Sequence, residues 1–65
     1  MQILDALERA IIGLPRDTRT VFILGRFRDM SYPAIAQLMN LSTRTVARKM
    51  AEAMKALSSV VEASQ

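Results

Sequence analysis

The residues from Leu41 to Met50, LSTRTVARKM, join a helix-capping serine to three basic side chains. Arginine can form a bidentate pair of hydrogen bonds with guanine in the DNA major groove. The free backbone N–H groups at the start of a helix, near Ser42 and Thr43, suit a phosphate. The stretch is therefore a candidate for reading DNA. The alternative interpretation is an ordinary solvated helix face, which is what most basic stripes are.

Helical spacing separates this segment into two faces. At about 100° per residue, with Val46 at zero, an apolar face within roughly 80° contains Met50, Ala53, Met54 and Leu57. The opposite face, between roughly 140° and 200°, contains Arg44, Arg48, Ala51 and Lys55. Alanine allows close approach to the groove, and Lys49 and Thr45 on the flanks would reach the sugar-phosphate backbone. A helix that enters the major groove needs this division.

The preceding residues predict the element that positions this helix. Ser31 is a good N-cap, Pro33 suits a first turn, and Asn40 tolerates a left-handed turn. One apolar stripe at helical spacing contains Tyr32, Ile35, Ala36 and Met39. Two short helices joined by a three- or four-residue turn form a helix-turn-helix. We expect it at about residues 31–57, within a single all-α domain of four helices that spans 1–65.

Two further helices are predicted before it. The first has an apolar stripe of Ile3, Leu7, Ala10, Ile11 and Leu14. We expect Gly13 to end it in a left-handed conformation and Pro15 to stand in the first turn of the second. The second carries VFIL and then Phe27, so it is apolar over most of its circumference and should be the most buried helix. A strand is the alternative for VFIL, but no second strand exists to pair with it.

The apolar positions predict one small core. We expect it to contain Phe22, Ile35, Leu38, Leu41, Val46 and Met50. Met30, Met39 and Met54 are interpreted, like Met50, as core filler. Tyr32 is interpreted as a packing residue rather than a base-stacking one.

Composition excludes several classes of function. The 65 residues contain no cysteine and no histidine, so disulfides, thiolate metal sites and the commonest general base are absent. Neither an enzyme nor a cofactor is expected. The net charge of +3 suits a polyanionic partner. The sequence shows neither an apolar run of about 18 residues nor a secretory signal, which predicts a cytoplasmic protein without a membrane partner.

The stretch LPRDTRTVFILGRFRDMSYPAIAQLMNLSTRTVARKMAEAMKAL, Leu14 to Leu57, resembles region 4 of bacterial sigma factors. It is most similar to the extracytoplasmic-function group and, within it, to the iron-transport-type regulators. The shared features are LP before an arginine-containing helix, VFIL followed by an aromatic, MSYPAIA, and Leu41-Ser42 followed by Thr45-Val46. The segment Ile3–Ile11 is similar to the helix that leads into LP in that family.

The resemblance implies a function and a set of partners. Region 4 holds the promoter −35 element through its last helix, docks on the β flap of RNA polymerase and is often covered by an anti-sigma factor. By this resemblance, the base-facing positions are Arg44, Ala47, Arg48 and Ala51. The positions near phosphates are Ser31, Tyr32, Ser42, Thr43 and Thr45.

Departures from the family leave alternatives open. Asn40 stands where a glycine is usual, Pro33 replaces a common acidic residue, and AEAMKAL has fewer arginines than is typical. Nothing resembles the region that binds the −10 element, which predicts an excised domain or a small stand-alone regulator. The alternative functions are a response-regulator effector domain, and a region 4 mimic that binds an anti-sigma factor or polymerase with little DNA binding.

Overall fold

The computed structural model describes residues 2–63, with side chains from residue 4 onward. The chain forms four α-helices: α1 (Gln2–Ile12), α2 (Arg16–Arg26), α3 (Tyr32–Met39) and α4 (Thr43–Ala63). Residues 2–63 contain no strand. The predicted all-α, four-helix fold is confirmed, and VFIL is helical. The Ile3 side chain of the predicted first stripe lies outside the described part.

Helix α4 is the common partner of the other three helices. Each of α1, α2 and α3 packs against α4, and α2 also packs against α3. The contacts meet in a core whose centre is Val21, Ile35, Val46 and Ala53, all without solvent exposure. Because helical spacing places apolar residues on one side of each helix, the four stripes converge there.

Most of the predicted core is confirmed. Four of the six residues are buried: Phe22, Ile35, Val46 and Met50. Leu41 is half-buried and packs against them, as Met30, Met39 and Met54 do.

The prediction for Leu38 is wrong, because its side chain is 65% exposed. The buried face of α3 is centred between Ile35 and Ala36, with Met39 one turn on. At about 100° per residue, Leu38 lies roughly 60° from Ile35 on the side away from Ala36. Leu38 therefore points outward beside the buried stripe.

Among the described residues, α2 has the largest buried fraction of the four helices, as expected, but its apolar side chains are not all buried. Val21 and Phe22 are buried, but Ile23 is partly exposed and Phe27 is 66% exposed. The Phe27 ring meets the Phe22 ring edge-on, with centroids 5.8 Å apart. Phe27 follows the end of α2, so its ring contacts Phe22 while most of its surface faces solvent.

The turn between α1 and α2 differs from the expected one. No described glycine has a positive φ, so the prediction of a left-handed Gly13 is wrong. The α1 carbonyls are satisfied in other ways, since the Gly13 N–H donates to the Arg9 carbonyl at 2.9 Å. The Arg19 guanidinium, from α2, donates to the Ile12 carbonyl at 2.7 Å. Pro15 is the N-cap of α2 rather than a first-turn residue.

The turn from α3 to α4 is the one that the sequence predicts. Asn40 is left-handed, at φ 58° and ψ 45°. The Leu41 N–H donates to the Ala36 carbonyl at 2.8 Å, and the Asn40 N–H to the Gln37 carbonyl at 3.4 Å. This pair of bonds is a Schellman motif, and Leu41 beyond it packs against the core cluster that includes Ala36. Three residues, 40–42, therefore separate α3 from α4.

Candidate nucleic-acid interface

A serine cap fixes the start of α4. The Thr45 N–H donates to Ser42 Oγ at 3.0 Å, and the Val46 N–H donates to the Ser42 carbonyl at 3.0 Å. The first turn of α4 contains no acidic residue. The remaining first-turn N–H groups have no intrahelical partner, and with the helix dipole they favour an anion. This end of α4 is therefore suited to a phosphate.

The Ser42 and Thr45 hydroxyls at this cap are hydrogen-bonded to each other. Ser42 Oγ donates to Thr45 Oγ1 at 2.9 Å, so the Ser42 proton is already used. A hydroxyl has one proton and two acceptor lone pairs, so the Thr45 proton remains available for an incoming oxygen.

The two faces of α4 separate as helical spacing requires. Val46, Met50 and Ala53 are buried against the domain. The opposite face is exposed and consists of Arg44, Arg48, Ala51 and Lys55. Among the described residues the ion pair is between Asp5 and Arg9, so the cations of α4 are not held by carboxylates. Their charge is available to a polyanion.

The other predicted site residues fall into two groups. Ala47 and Thr43 are exposed on α4, whereas Thr45 and Lys49 are half-buried on its flank. The remaining two are at the start of α3: Ser31 Oγ accepts from the Ala34 N–H at 3.2 Å, and Tyr32 is partly exposed. Ser31 and Tyr32 thus lie at the start of α3, whereas the basic face belongs to α4.

The acidic residue Glu52 on α4 takes part in a hydrogen bond that the sequence does not predict. Thr18 Oγ1, on α2, donates to Glu52 Oε1 on α4 at 3.2 Å. Thr18 is 1% exposed, whereas Glu52 is exposed. The two residues are 34 positions apart, so no local pattern indicates the contact. It fixes an acidic side chain next to the basic face.

A second surface lies away from the basic face. An open groove of about 560 Å³ is lined by Leu4, Asp5, Leu7, Glu8, Ile11 and Phe27. Leu4 is 69% exposed, and Ile12 at the groove's edge is 68% exposed. Exposed apolar side chains that are grouped in this way commonly mark an interaction surface. The sequence pattern missed it because it assigned Phe27 to a buried helix.

The described residues contain neither a membrane-spanning helix nor a cluster of metal-binding side chains. None of these helices has the length and apolar character that crossing a membrane requires. The same residues contain no group of three acidic, histidine or cysteine side chains that could hold a metal ion.

A short capped helix, a three-residue turn and a second helix with a basic outer face together define a helix-turn-helix domain of the DNA-binding type. A protein-family model described as "Sigma-70, region 4" matches residues 4–57. The chain belongs to this family, which is a non-catalytic family of sigma-factor modules that bind DNA and polymerase. No curated protein matches the chain, and no solved structure does.

Proposed function

We propose that this domain recognises the promoter −35 element through α4 and docks on the β flap of RNA polymerase during transcription initiation. The observation that carries the proposal is the basic face of α4 behind the Ser42 cap, whose cations form no ion pair with any carboxylate of the described residues. We further propose that the domain belongs to the extracytoplasmic-function group, near the iron-transport-type regulators, and that an anti-sigma factor covers it.

Arg48 is the proposed base-reading residue. A recognition helix contacts base edges mainly with its N-terminal residues. Arg48 is about one and a half turns from the Ser42 cap, whereas Lys55 is about two turns further on. Both are exposed. We expect Arg44, Ala47 and Ala51 to face bases beside Arg48, and Lys55 to act only on the DNA backbone.

The two exposed cations form a matched pair for the test. Arg48→Ala should remove about 1–3 kcal/mol of discrimination at one base position. Lys55→Ala should weaken all sequences alike and lower the salt slope by about one. The measurement is the affinity of each variant for every single-base change of the selected site. An equal loss over all sites in Arg48→Ala would leave that residue with an electrostatic role only.

The proposed phosphate contacts come from the two helix starts. Ser42, Thr43 and Thr45 would bind at the start of α4, and Lys49 at its flank. Ser31 and Tyr32 would bind at the start of α3, a separate terminus. The support is the pair of serine caps and the absence of acidic residues from both first turns.

The proposed polymerase contact is the groove of α1 and Phe27, filled by an apolar helical segment of the β flap. No residue of α3 or α4 lines this groove in the described structure. DNA on α4 and polymerase in the groove would therefore not compete for the same side chains.

Two equally exposed apolar residues provide the test of this contact. Phe27 is 66% exposed inside the groove, and Leu38 is 65% exposed outside it. Phe27→Asp should weaken binding of the isolated flap by more than tenfold, since it places a charge in an apolar contact. Leu38→Asp should leave flap binding unchanged. Equal effects of both changes would show that the groove is not the contact.

A region 4 mimic with little DNA binding is the second candidate. The exposed groove favours it, because this apolar surface can bind a protein partner without any residue of α4. Flap binding without any sequence preference on DNA would select this alternative.

A further inference from the structure

Glu52 has three cations within reach on its own helix. Arg48 is four residues before it, Lys49 three residues before it, and Lys55 three residues after it. Side chains at these spacings are neighbours on a helix surface and commonly form ion pairs. Among the described residues, however, Glu52 forms none of these ion pairs.

The Glu52 carboxylate instead accepts a hydrogen bond from the Thr18 hydroxyl, at 3.2 Å. Thr18 is the third residue of α2, and Pro15 at the N-cap supplies no side-chain hydrogen bond to that end. A helix start without such a cap carries partial positive charge and attracts a carboxylate. Thr18 itself is almost fully buried, so its hydroxyl needs this partner. Both residues gain from the contact.

We propose that Thr18 is a positioning residue for DNA binding. By holding the Glu52 carboxylate at the start of α2, it keeps that negative charge off Arg48, Lys49 and Lys55. These cations then meet DNA without first breaking an ion pair. The proposal rests on the proposed function, because it assumes that the basic face of α4 contacts DNA.

The size of the effect follows from the strength of an exposed helix ion pair. For such a pair, the population with the ion pair formed is about twice the population with the two side chains apart. If Glu52 were free to form an ion pair with Arg48, the fraction of Arg48 side chains without an ion pair would fall to about one third. Affinity for the preferred DNA site would fall about threefold, and a site that Arg48 does not read would lose less.

The first experiment tests the contact without DNA. The variants are Thr18→Val, which removes the hydroxyl, and Thr18→Ser, which keeps it. Side-chain nitrogen resonances of Arg48, Lys49 and Lys55 are followed by NMR as salt is raised. Thr18→Val should make at least one of them salt-sensitive, and adding Glu52→Gln should abolish that change. Resonances that match wild type in Thr18→Val would overturn the proposal.

The second experiment measures DNA affinity in a four-variant cycle. Thr18→Val should weaken the preferred site about threefold in the native background and leave it unchanged in the Glu52→Gln background. Thr18→Ser should behave as wild type. A loss that Glu52→Gln does not rescue would mean that Thr18 acts only through packing. If Thr18→Val does not fold, as judged by circular dichroism, Thr18→Ala takes its place in both experiments.

The two experiments separate the two ways of failing. If wild type shows no sequence preference on DNA, the proposed function fails while the NMR experiment still reports on Thr18 and Glu52. If wild type binds its site normally and the cycle shows no coupling, only the role of Thr18 is refuted.

Discussion

Gly25 lies inside α2 at the point where three helices meet. A Cβ placed on it would be 2.6 Å from Met50 Cε, on α4, and 3.6 Å from Ile35 Cδ1, on α3. The second distance is an ordinary contact, but the first is not. Gly25→Ala therefore has two opposing effects, one on the helix and one on the packing of Met50.

The two effects can be estimated separately. Alanine in a helix interior is about 0.8–1 kcal/mol more favourable than glycine. Against this, the buried Met50 methyl must move by roughly 1 Å; because it is the end of a flexible side chain, the cost is at the lower end of the range of about 1–3 kcal/mol for overpacking. The two effects nearly cancel, so we expect Gly25→Ala to leave the stability of the domain nearly unchanged. In a Met50→Leu background, which lacks that methyl, the same change should stabilise it by about 1 kcal/mol.

Thermal unfolding followed by circular dichroism measures this difference. For a domain of this size, 1 kcal/mol corresponds to about 4–8 °C in Tm. Gly25→Ala should thus leave Tm nearly unchanged in the native background, and raise it by about 4–8 °C in the Met50→Leu background. Met50→Leu alone serves as the reference for the second comparison. An equal rise in Tm in both backgrounds would refute the contact between Gly25 and Met50.

Three further predictions concern the core, the turn and the charge. Phe22→Ala should cost about 3–5 kcal/mol, most of the stability of so small a domain, and a melt like that of wild type would contradict this. Asn40→Ala should cost about 1–2 kcal/mol, because Asn40 is left-handed, whereas denaturant unfolding of Asn40→Gly should match wild type or exceed it. DNA affinity should fall with salt at a log–log slope of about −3 to −4.5, for about three to five phosphate contacts; a salt-independent nanomolar affinity would contradict electrostatic docking.

The sequence predicts the helix-turn-helix well because its signals are local. Ser31, Asn40 and Ser42 each determine the backbone within a few residues, and all three adopt the expected roles. The two faces of α4 follow from the 3.6-residue period alone. Leu38 could also have been placed outside the core by the same angular reasoning, since it lies beside the stripe of Ile35.

The features that the sequence does not predict depend on contacts between distant segments. Arg19 satisfies the Ile12 carbonyl from another helix, so Gly13 does not need a left-handed conformation there. Thr18 meets Glu52 only after α2 and α4 have packed. Exposure of Phe27 depends on where α2 ends relative to the core. Hydrophobic periodicity contains no information on any of these, because it describes one helix at a time.

The packing of α1 chiefly against α4 has a consequence for the order in which the domain assembles during synthesis. The ribosome makes α1 before α4, and a domain generally folds as a unit. An isolated helix of 11 residues is marginal in water. Ile11 of α1, which packs against the core in the folded domain, therefore lacks that core until α4 has left the ribosome. Over that interval the growing chain exposes this apolar side chain to chaperones and to aggregation.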